Sequence, residues 1–220
     1  MTAASPTRRG RPPQTEEQAD QVRARIILAT AEVFAQHGSR GLSVARIIEA
    51  AGLARPTFYR YFANAVEPLH AVLRVSNDDL VGGIRSALER TEVPVELGIN
   101  MIEAYLYWAG GHGPMLSPLF AELYDPGSPV SSYRESALED IRALIRAKFT
   151  DLGRPIPSPL DLDTALHTCE YVVYRISAAG EPTPETVAAA RLTMIRSVLV
   201  TLGRREDVEY ALTIPTLFTD

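Results

Sequence analysis

The chain has 220 residues, 46% of them hydrophobic, and a net charge of −5, a composition that suits a globular protein with its own core. It contains no apolar run of about 18 residues that could span a bilayer, and its first residues are charged, unlike a signal peptide. The single cysteine, Cys169, excludes a framework of intrachain disulfides. The composition therefore predicts a cytoplasmic protein that is not anchored in a membrane.

Residues 1–14 contain three prolines and no apolar periodicity, which predicts a disordered, basic N-terminal arm. Within this arm, the sequence RRGRP at residues 8–12 resembles the core of hooks that enter the DNA minor groove. A narrow minor groove concentrates negative potential, which attracts arginine. We expect Arg9 and Arg11 to make such contacts. The alternative is a solvated basic tail that is attracted to phosphates without a specific site.

Two short helices separated by a glycine form the central motif of the sequence, and an amphipathic helix over residues 17–36 precedes them. Ser43 suits the N-cap of the first motif helix because its hydroxyl can accept an unpaired backbone N–H. Gly52 suits the end of that helix because glycine tolerates a positive φ. The second helix starts at Arg55 and Pro56, since proline fits a first turn that needs no N–H. Helix, glycine turn and short helix predict a helix-turn-helix.

The motif resembles the DNA-binding domain of TetR-family repressors. The resemblance covers residues 23–73 and depends on the sequence PTFYRYF at residues 56–62, which follows the two-helix pattern. It implies that the second short helix enters the major groove. The expected DNA contacts are Ser43, Arg46, Arg55, Pro56, Thr57, Tyr59, Arg60, Tyr61 and Asn64. The family usually has a lysine at the start of its fourth helix, where this chain has Ala65, so we expect one phosphate contact to be missing.

Charge is distributed unevenly along the chain. Residues 1–70 hold nine arginines against six acidic residues, or +3, so the remaining residues carry −8. A basic head on an acidic body steers DNA toward one end of the molecule, an asymmetry that the negative net charge conceals.

The rest of the chain shows helical periodicity interrupted by proline and glycine, without β-type alternation. We predict helices over residues 65–89, 95–110, 115–123 and 132–152. The last of these is expected to begin with a capping box made by Ser132 and Glu135. Two final helices begin at Ser158 and Thr183, each an N-cap residue followed by proline. The prediction is an all-α fold of about nine helices.

The last two helices carry two apolar faces each. In the first of them, positions 162, 166, 169, 173 and 176 form one apolar row, and positions 165, 172 and 179 form a second. A helix with two apolar faces is expected to pack against two neighbouring elements. TetR-like proteins dimerise through their last two long helices, packed as a four-helix bundle about a two-fold axis. The resemblance therefore implies a homodimer through residues 159–180 and 183–203, and the alternative is an additional layer within one chain.

In TetR-like proteins the helices of the body surround a ligand cavity. The resemblance therefore implies a ligand site, and such sites are mostly apolar with a few placed polar groups. The candidate lining residues are Met101, Tyr105, Trp108, His112, Met115, Phe120, Tyr124, His167, Glu170, Tyr171 and Tyr174. Residues 162–181 also loosely resemble the corresponding helix of actinobacterial regulators related to the ethionamide-pathway repressor, which implies a hydrophobic effector. The alternative for each candidate is an ordinary place in the core.

The sequence lacks the patterns of catalytic and metal sites. No two of its four histidines have the i, i+4 spacing of a helical zinc site. His167 and Cys169 lie two positions apart on a predicted helix, so they point in different directions and cannot form a nucleophile–base pair. No phosphate-binding glycine loop occurs. The sequence predicts neither an enzyme nor a bound cofactor or metal.

Together these features predict a dimeric, TetR-like transcriptional repressor that binds a palindromic operator in double-stranded DNA and is released by a small, apolar effector. Two alternatives stay open: a DNA-binding regulator without a small-molecule effector, and a ligand-binding dimer whose DNA head is weak because of Ala65. The predicted domains are the arm (1–14), a DNA-binding domain (15–64), a ligand-binding and dimerisation domain (65–204) and a C-terminal tail (205–220).

Overall fold

The structure is a computed structural model that describes residues 15–215 and 217–218. Those ranges fold into ten α-helices and one 3-10 turn, Gly113–Met115, with no β-strand among them. The helices are α1 (Glu16–His37), α2 (Val44–Ala51), α3 (Arg55–Phe58), α4 (Val66–Leu88), α5 (Pro94–His112), α6 (Leu116–Glu122), α7 (Pro129–Asp151), α8 (Pro159–Ala178), α9 (Pro184–Leu202) and α10 (Arg205–Ala211). The all-α prediction is confirmed. None of these helices is long and apolar enough to cross a bilayer.

Helices α1 to α3 form a head with its own apolar core. Ile26 of α1, Ile47 of α2 and Phe58 of α3 are fully buried there, together with Phe62 just beyond α3. A helix as short as α3 is unstable in isolation, since nucleating a helical turn costs more than one hydrogen bond returns. Burial of Phe58 and Phe62 therefore holds α3 in place against the two longer helices.

The remaining helices, α4 to α10, form the body, and α4 is the element that joins it to the head. Helix α4 packs against α1 of the head and against α5 and α7 of the body. Leu69 and Leu73 are buried near its head end, and Ile84 and Leu88 are buried near its far end. A single rigid helix thus runs from the head core into the core of the body.

A second link between head and body lies at the end of α6. The backbone N–H of Ser39, just after α1, donates to Glu122 Oε1 at 2.8 Å. One residue further, Arg40 Nη2 donates to Asp125 Oδ2, also at 2.8 Å. The turn after α1 is therefore attached to the body by groups that do not belong to α4.

The start of α7 differs from the prediction of a capping box at Ser132. The helix begins one turn earlier, at Pro129, because the Ser128 side chain accepts a hydrogen bond from Val130 N and proline fits the first turn. Ser132 lies inside the helix, where its hydroxyl donates to the carbonyl of Pro129 at 2.9 Å. A serine followed by proline is the same start signal that the sequence shows at α8.

The starts of α8 and α9 are confirmed. Ser158 accepts a hydrogen bond from Asp161 N, and Thr183 accepts one from Thr186 N, so each caps its helix as predicted. The two helices pack along each other. Helix α10, for which no element was predicted, follows α9 and packs on α5 and α9.

Candidate functional site

The exposed side of the head is formed by the turn between α2 and α3. Ser43 Oγ accepts from the backbone N–H of Arg46, which starts α2 as expected. Gly52 ends α2 with φ 58°, a left-handed conformation that side chains other than glycine rarely adopt. Arg25 Nη2 donates to the carbonyl of Gly52 at 3.0 Å and so fixes this turn to α1. The turn therefore holds α3 at a defined angle to α2.

Most of the candidate DNA contacts lie on α3 or in the turn that directly follows it, at residues 59–61. Arg55, Pro56 and Arg60 are exposed, and 48% of Tyr59 is exposed, while Thr57 and Tyr61 are half-buried. On α2, Arg46 is exposed and its guanidinium donates to the carbonyl of Gly41. The Arg60 guanidinium lies 5.9 Å from the centre of the Tyr61 ring. This surface offers cations and hydroxyls, the groups that contact phosphates and base edges.

Asn64 has a structural task that the sequence analysis missed. Its Oδ1 accepts from the backbone N–H groups of Val66 and Glu67, at 2.9 and 3.0 Å, and so caps α4. Only its amide N–H groups are left for a phosphate. Candidate contacts Arg9 and Arg11 lie outside the described residues.

A cavity of about 200 Å³ lies inside the body, between α4, α5, α6, α7, α8 and α9. Its middle is apolar. Five of the eleven candidate ligand residues line it: Met101, Tyr105, Trp108, Phe120 and Glu170. The aromatic rings of Tyr105 and Trp108 stack with their centres 5.6 Å apart, so they form one flat section of the wall. Five residues from three helices thus meet at one apolar space.

The other six candidates do not line the cavity. They are His112, Met115, Tyr124, His167, Tyr171 and Tyr174. His112 lies behind the wall, with its ring 4.5 Å from that of Trp108, and Met115 is buried in the neighbouring core. On α8, Tyr171 is 61% exposed, and Tyr174 is 43% exposed with its ring centre 5.9 Å from that of Phe120. His167 Nε2 lies 4.0 Å from Glu170 Oε2, and the Tyr124 ring centre lies 4.7 Å from the Arg134 guanidinium.

One end of the cavity contains a buried ion pair between Arg134 and Glu170. Arg134 Nε and Nη2 donate to the two carboxylate oxygens of Glu170 at 2.8 and 2.6 Å. Burial, helped by the charge of Glu170, raises the pKa of Tyr105 well above its ordinary value and that of Cys169 to about 12. Arg134 was not among the candidates, although it lies one turn before Leu138 on the apolar row of α7.

The opposite end contains a second set of charged residues, which the sequence analysis also missed. Lys148 of α7, Arg154 just after α7 and Asp207 of α10 all line the cavity there. Arg154 Nη1 donates to Asp207 Oδ1 at 3.1 Å, and Nη2 donates to Oδ2. We call these three residues the basic end of the cavity. No sequence signal connects Arg154 with Asp207, because the two are 53 positions apart.

Helix α4 forms part of the cavity wall through Ser76 and Asn77. The carbonyl of Ser76 accepts from Trp108 Nε1 at 3.0 Å, and Asn77 Nδ2 donates to the carbonyl of Tyr133 at 2.6 Å. These bonds tie α4 to α5 and α7 next to the cavity. Any molecule that moves Trp108 or Tyr133 therefore acts directly on the helix that carries the head.

The outer faces of α8 and α9 expose large apolar side chains. On α8, 73% of Leu160 and 61% of Tyr171 are exposed, and on α9, 78% of Val200 is exposed. Contiguous apolar patches on a protein surface often mark sites of association. The cavity-side rows of the same helices are buried, with Leu162 and Met194 fully inaccessible.

Comparisons with known proteins agree with this architecture. Residues 26–65 match the family model described as bacterial regulatory proteins, tetR family. Over 72 residues, the chain is 35% identical to the HTH-type transcriptional activator FasR of Mycolicibacterium smegmatis, a match that covers 33% of each protein. The matched segment thus spans about a third of the length of that relative.

Two solved structures resemble most of the chain. The fatty acid degradation regulator FadR from Bacillus halodurans aligns with a TM-score of 0.67 and 21% identity, over 84% of this chain and 96% of its own. The transcriptional regulator FadR from Bacillus subtilis, solved in complex with stearoyl-CoA, aligns with a TM-score of 0.66 and 19% identity, over 83% of this chain and 99% of its own. The head-and-body architecture is therefore shared with these regulators.

Proposed function

We propose that this chain, whose residues 26–65 match the tetR-family model, is a homodimeric transcriptional repressor of that family that an apolar effector releases from its operator. The effector part of the proposal depends mainly on one observation. Ser76 and Asn77 of α4, the helix that carries the head, form part of the wall of an apolar cavity. An effector that occupies this cavity acts on the head through α4.

In this proposal α3 enters the major groove and its outer residues contact DNA. Arg55 and Arg60 are the groups suited to base edges, since arginine can donate two hydrogen bonds to guanine. Thr57, Tyr59 and Tyr61 supply hydroxyls that suit phosphates. Their common surface on α3 and the turn after it supports these roles.

The homodimer in this proposal forms through α8 and α9. A two-fold axis would pair the exposed apolar faces that contain Leu160, Tyr171 and Val200 with the same faces of a second copy. Four helices from two chains then bury side chains that one chain leaves in water. A palindromic operator follows, because a two-fold symmetric protein binds two half-sites of opposite orientation.

The effector that suits the cavity is elongated and apolar. The wall between the two charged ends consists largely of leucine and isoleucine side chains from α4, α5, α7 and α8. The stearoyl-CoA complex of the structurally similar Bacillus subtilis regulator adds support for an acyl chain as the apolar part.

A second candidate function is a ligand-binding dimer whose DNA head is weak. The observation that favours it is Ala65 at the start of α4, where a lysine would add a phosphate contact. Asn64, which flanks the same position, has its acceptor occupied by the α4 backbone.

A gel-shift titration on the intergenic DNA upstream of the protein's own gene tests these alternatives. We expect a salt-sensitive complex with two chains per site, which hexadecanoate or hexadecanoyl-CoA dissociates. Acyl-chain binding without any DNA complex would favour the weak-head alternative. A DNA complex that no apolar compound affects would contradict the effector proposal and leave a regulator of another kind.

A further inference from the structure

The two ends of the cavity differ in net charge. At one end, Arg134 and Glu170 form a bidentate pair, so their charges cancel. At the basic end, Asp207 pairs with Arg154, while Lys148 forms no ion pair with any described carboxylate. One positive charge is therefore left without a partner at the basic end, beside an apolar space.

Local backbone structure brings Arg154 back to the end of α7, next to Lys148. Gly153 adopts φ 63°, which reverses the chain, and the backbone N–H of Arg154 then donates to the carbonyl of Phe149 at 2.9 Å. The guanidinium of Arg154 lies 5.6 Å from the centre of the Phe149 ring. Two cations thus share one end of the cavity because a glycine turn ends α7.

The guanidinium of Arg154 is buried and incompletely bonded. Its side chain is 9% exposed, and its Nε has no hydrogen-bond partner in the part of the chain that the structure describes. Buried N–H groups of charged side chains are nearly always paired, because an unpaired one loses its hydration without compensation. An unpaired guanidinium N–H and a lysine without an ion-pair partner, both at the same end of the cavity, indicate a place for an anion.

Asp207 occupies part of that place in the present structure. Burial by itself would raise the pKa of Asp207, but hydrogen bonds from Arg154 and from the backbone of Arg204 outweigh it and lower the pKa. Asp207 is therefore a carboxylate that fills the fork of Arg154. It is carried by α10, a helix of seven residues.

We propose that the basic end of the cavity binds the anionic head group, carboxylate or phosphate, of an effector whose apolar tail lies along the cavity. The inference rests on the proposed effector function and adds the chemistry and position of the head group. Lys148 contacts the head group directly, and Arg154 contributes hydrogen bonds that it shares with Asp207. Effector binding then competes with the Arg154–Asp207 pair that holds α10 against the body.

Three ligands of equal chain length separate charge from apolar contact: hexadecanoate, hexadecyl phosphate and hexadecanol. Trp108, the only tryptophan in the sequence, lines the cavity, so its fluorescence reports occupancy. We expect wild type to bind at least one of the two anions about tenfold or more tightly than the alcohol. The comparison between carboxylate and phosphate identifies the preferred head group.

Substitution of Lys148 tests the assignment. We expect Lys148→Met to reduce the ratio of anion affinity to alcohol affinity to about one. Alcohol binding should stay unchanged. Arg146→Met is the matched control, because Arg146 is on the same helix and does not line the cavity. Asp207→Asn removes the competing carboxylate and is expected to strengthen anion binding. If Asp207→Asn fails to fold, the comparison of Lys148→Met with Arg146→Met still tests the assignment of Lys148.

Equal binding of anions and alcohol by wild type would overturn the inference and leave the apolar effector proposal intact. The same conclusion follows if Lys148→Met keeps the preference for the anion, or if Arg146→Met loses it equally. Failure of all three ligands to bind would overturn the proposal of an apolar effector, and this inference with it.

Discussion

At the scale of single residues, α3 and the turn after it, residues 55–62, divide into a buried side and an outer side. Phe58 and Phe62 fill the head core, whereas Arg55, Tyr59 and Arg60 face outward. Because the apolar residues hold α3 and the polar ones face solvent, substitutions on the outer side are expected to change DNA binding without unfolding the head.

The outer residues differ in their expected contribution to specificity. Arg55→Ala or Arg60→Ala is expected to cost about 1–3 kcal/mol on the cognate operator and less on an operator with the contacted guanine replaced. Tyr59→Phe, which removes only a hydroxyl suited to phosphate, should weaken binding to both operators alike. Titrations of each variant on both operators measure this difference. If both arginine variants weaken every sequence equally, the arginines do not contact base edges.

Buried groups beside Glu170 predict a loss of stability at alkaline pH. The folded protein raises the pKa of Cys169 from 9.0 to about 12, with burial as the main cause, and it also raises the pKa of Tyr105. Between pH 9 and about pH 12 the unfolded chain loses the Cys169 thiol proton while the folded chain keeps it. The free energy of unfolding therefore falls as pH rises. One pH unit above 9, the expected loss from Cys169 is about 1.4 kcal/mol.

Urea unfolding at pH 8, 9 and 10 measures this loss. Cys169→Ala removes the thiol. The free energy of unfolding of this variant should therefore fall less between pH 8 and pH 10 than that of wild type. Burial, the largest cause of the raised Tyr105 pKa, is common to both proteins, whereas the contribution of the Cys169 charge to that pKa is lost in Cys169→Ala. An identical pH dependence in wild type and Cys169→Ala would show that the thiol titrates normally in the folded protein.

At the scale of elements, helix starts could be predicted from the sequence where a capping residue marks them. Features that depend on contacts between distant residues could not be predicted. The caps at Ser43, Ser158 and Thr183 are local, and all three helices begin where the sequence indicates. The basic end could not be predicted, since it needs α10 to bring Asp207 to Arg154 across 53 positions. Of the α8 candidates, His167, Tyr171 and Tyr174 share helical spacing with Glu170, but only Glu170 lines the cavity, because spacing groups residues on a face without telling how far that face turns toward the interior.

The corrected start of α7 is testable by two serine substitutions. Ser128→Ala should lower the free energy of unfolding by about 0.5–2 kcal/mol, because it removes the cap on Val130 N. The Ser128 hydroxyl also donates to Glu122 Oε2, which adds to the loss. Ser132→Ala, an exposed control inside the helix, should change stability by less than about 0.5 kcal/mol. A larger loss for Ser132→Ala would restore the capping box at Ser132.

The basic arm is an element whose role can be measured through salt. Deletion of residues 1–14 should lower the slope of log affinity against log salt concentration by about 0.9 for each phosphate contact that is lost. A full-length variant with Arg9→Gln and Arg11→Gln separates loss of charge from loss of chain. An unchanged slope and affinity in both proteins would leave the arm without a role in DNA binding.

At the scale of the whole molecule, head and body are joined through α4 and through the packing of α1 on α6 and on the 3-10 turn Gly113–Met115, and a switch must satisfy these links together. Helix α4 carries the head directly, while Glu122 holds the turn after α1 through Ser39 N. Glu122 follows Leu119 and Phe120, which line the cavity, so both links start at the cavity wall. A change in the cavity therefore reaches the head through α4 and α6 at once.

The expected switch is a change in the separation of the two heads. A dimer contacts two half-sites with its recognition helices about 34–36 Å apart, and a small rotation of each α4 spoils this spacing. The effector releases DNA only if it binds the rotated state more tightly, with a usual coupling of about 1–3 kcal/mol. Added bulk at Ser76, which is buried at the cavity, should imitate the effector.

We therefore expect Ser76→Trp to weaken operator binding about 5-fold to 150-fold, to keep the dimer and to reduce any further response to hexadecanoate. Val75→Trp is the matched control, because Val75 is 54% exposed on the same helix and directs the added bulk into solvent. Spin labels at Leu28→Cys, an exposed position of α1, in a Cys169→Ser background report the distance between the two heads. The distance should change with Ser76→Trp and with effector, and stay constant with Val75→Trp. Release of DNA at a constant distance would mean that the effector acts on the contact residues of α3 themselves and that head separation is not the switch.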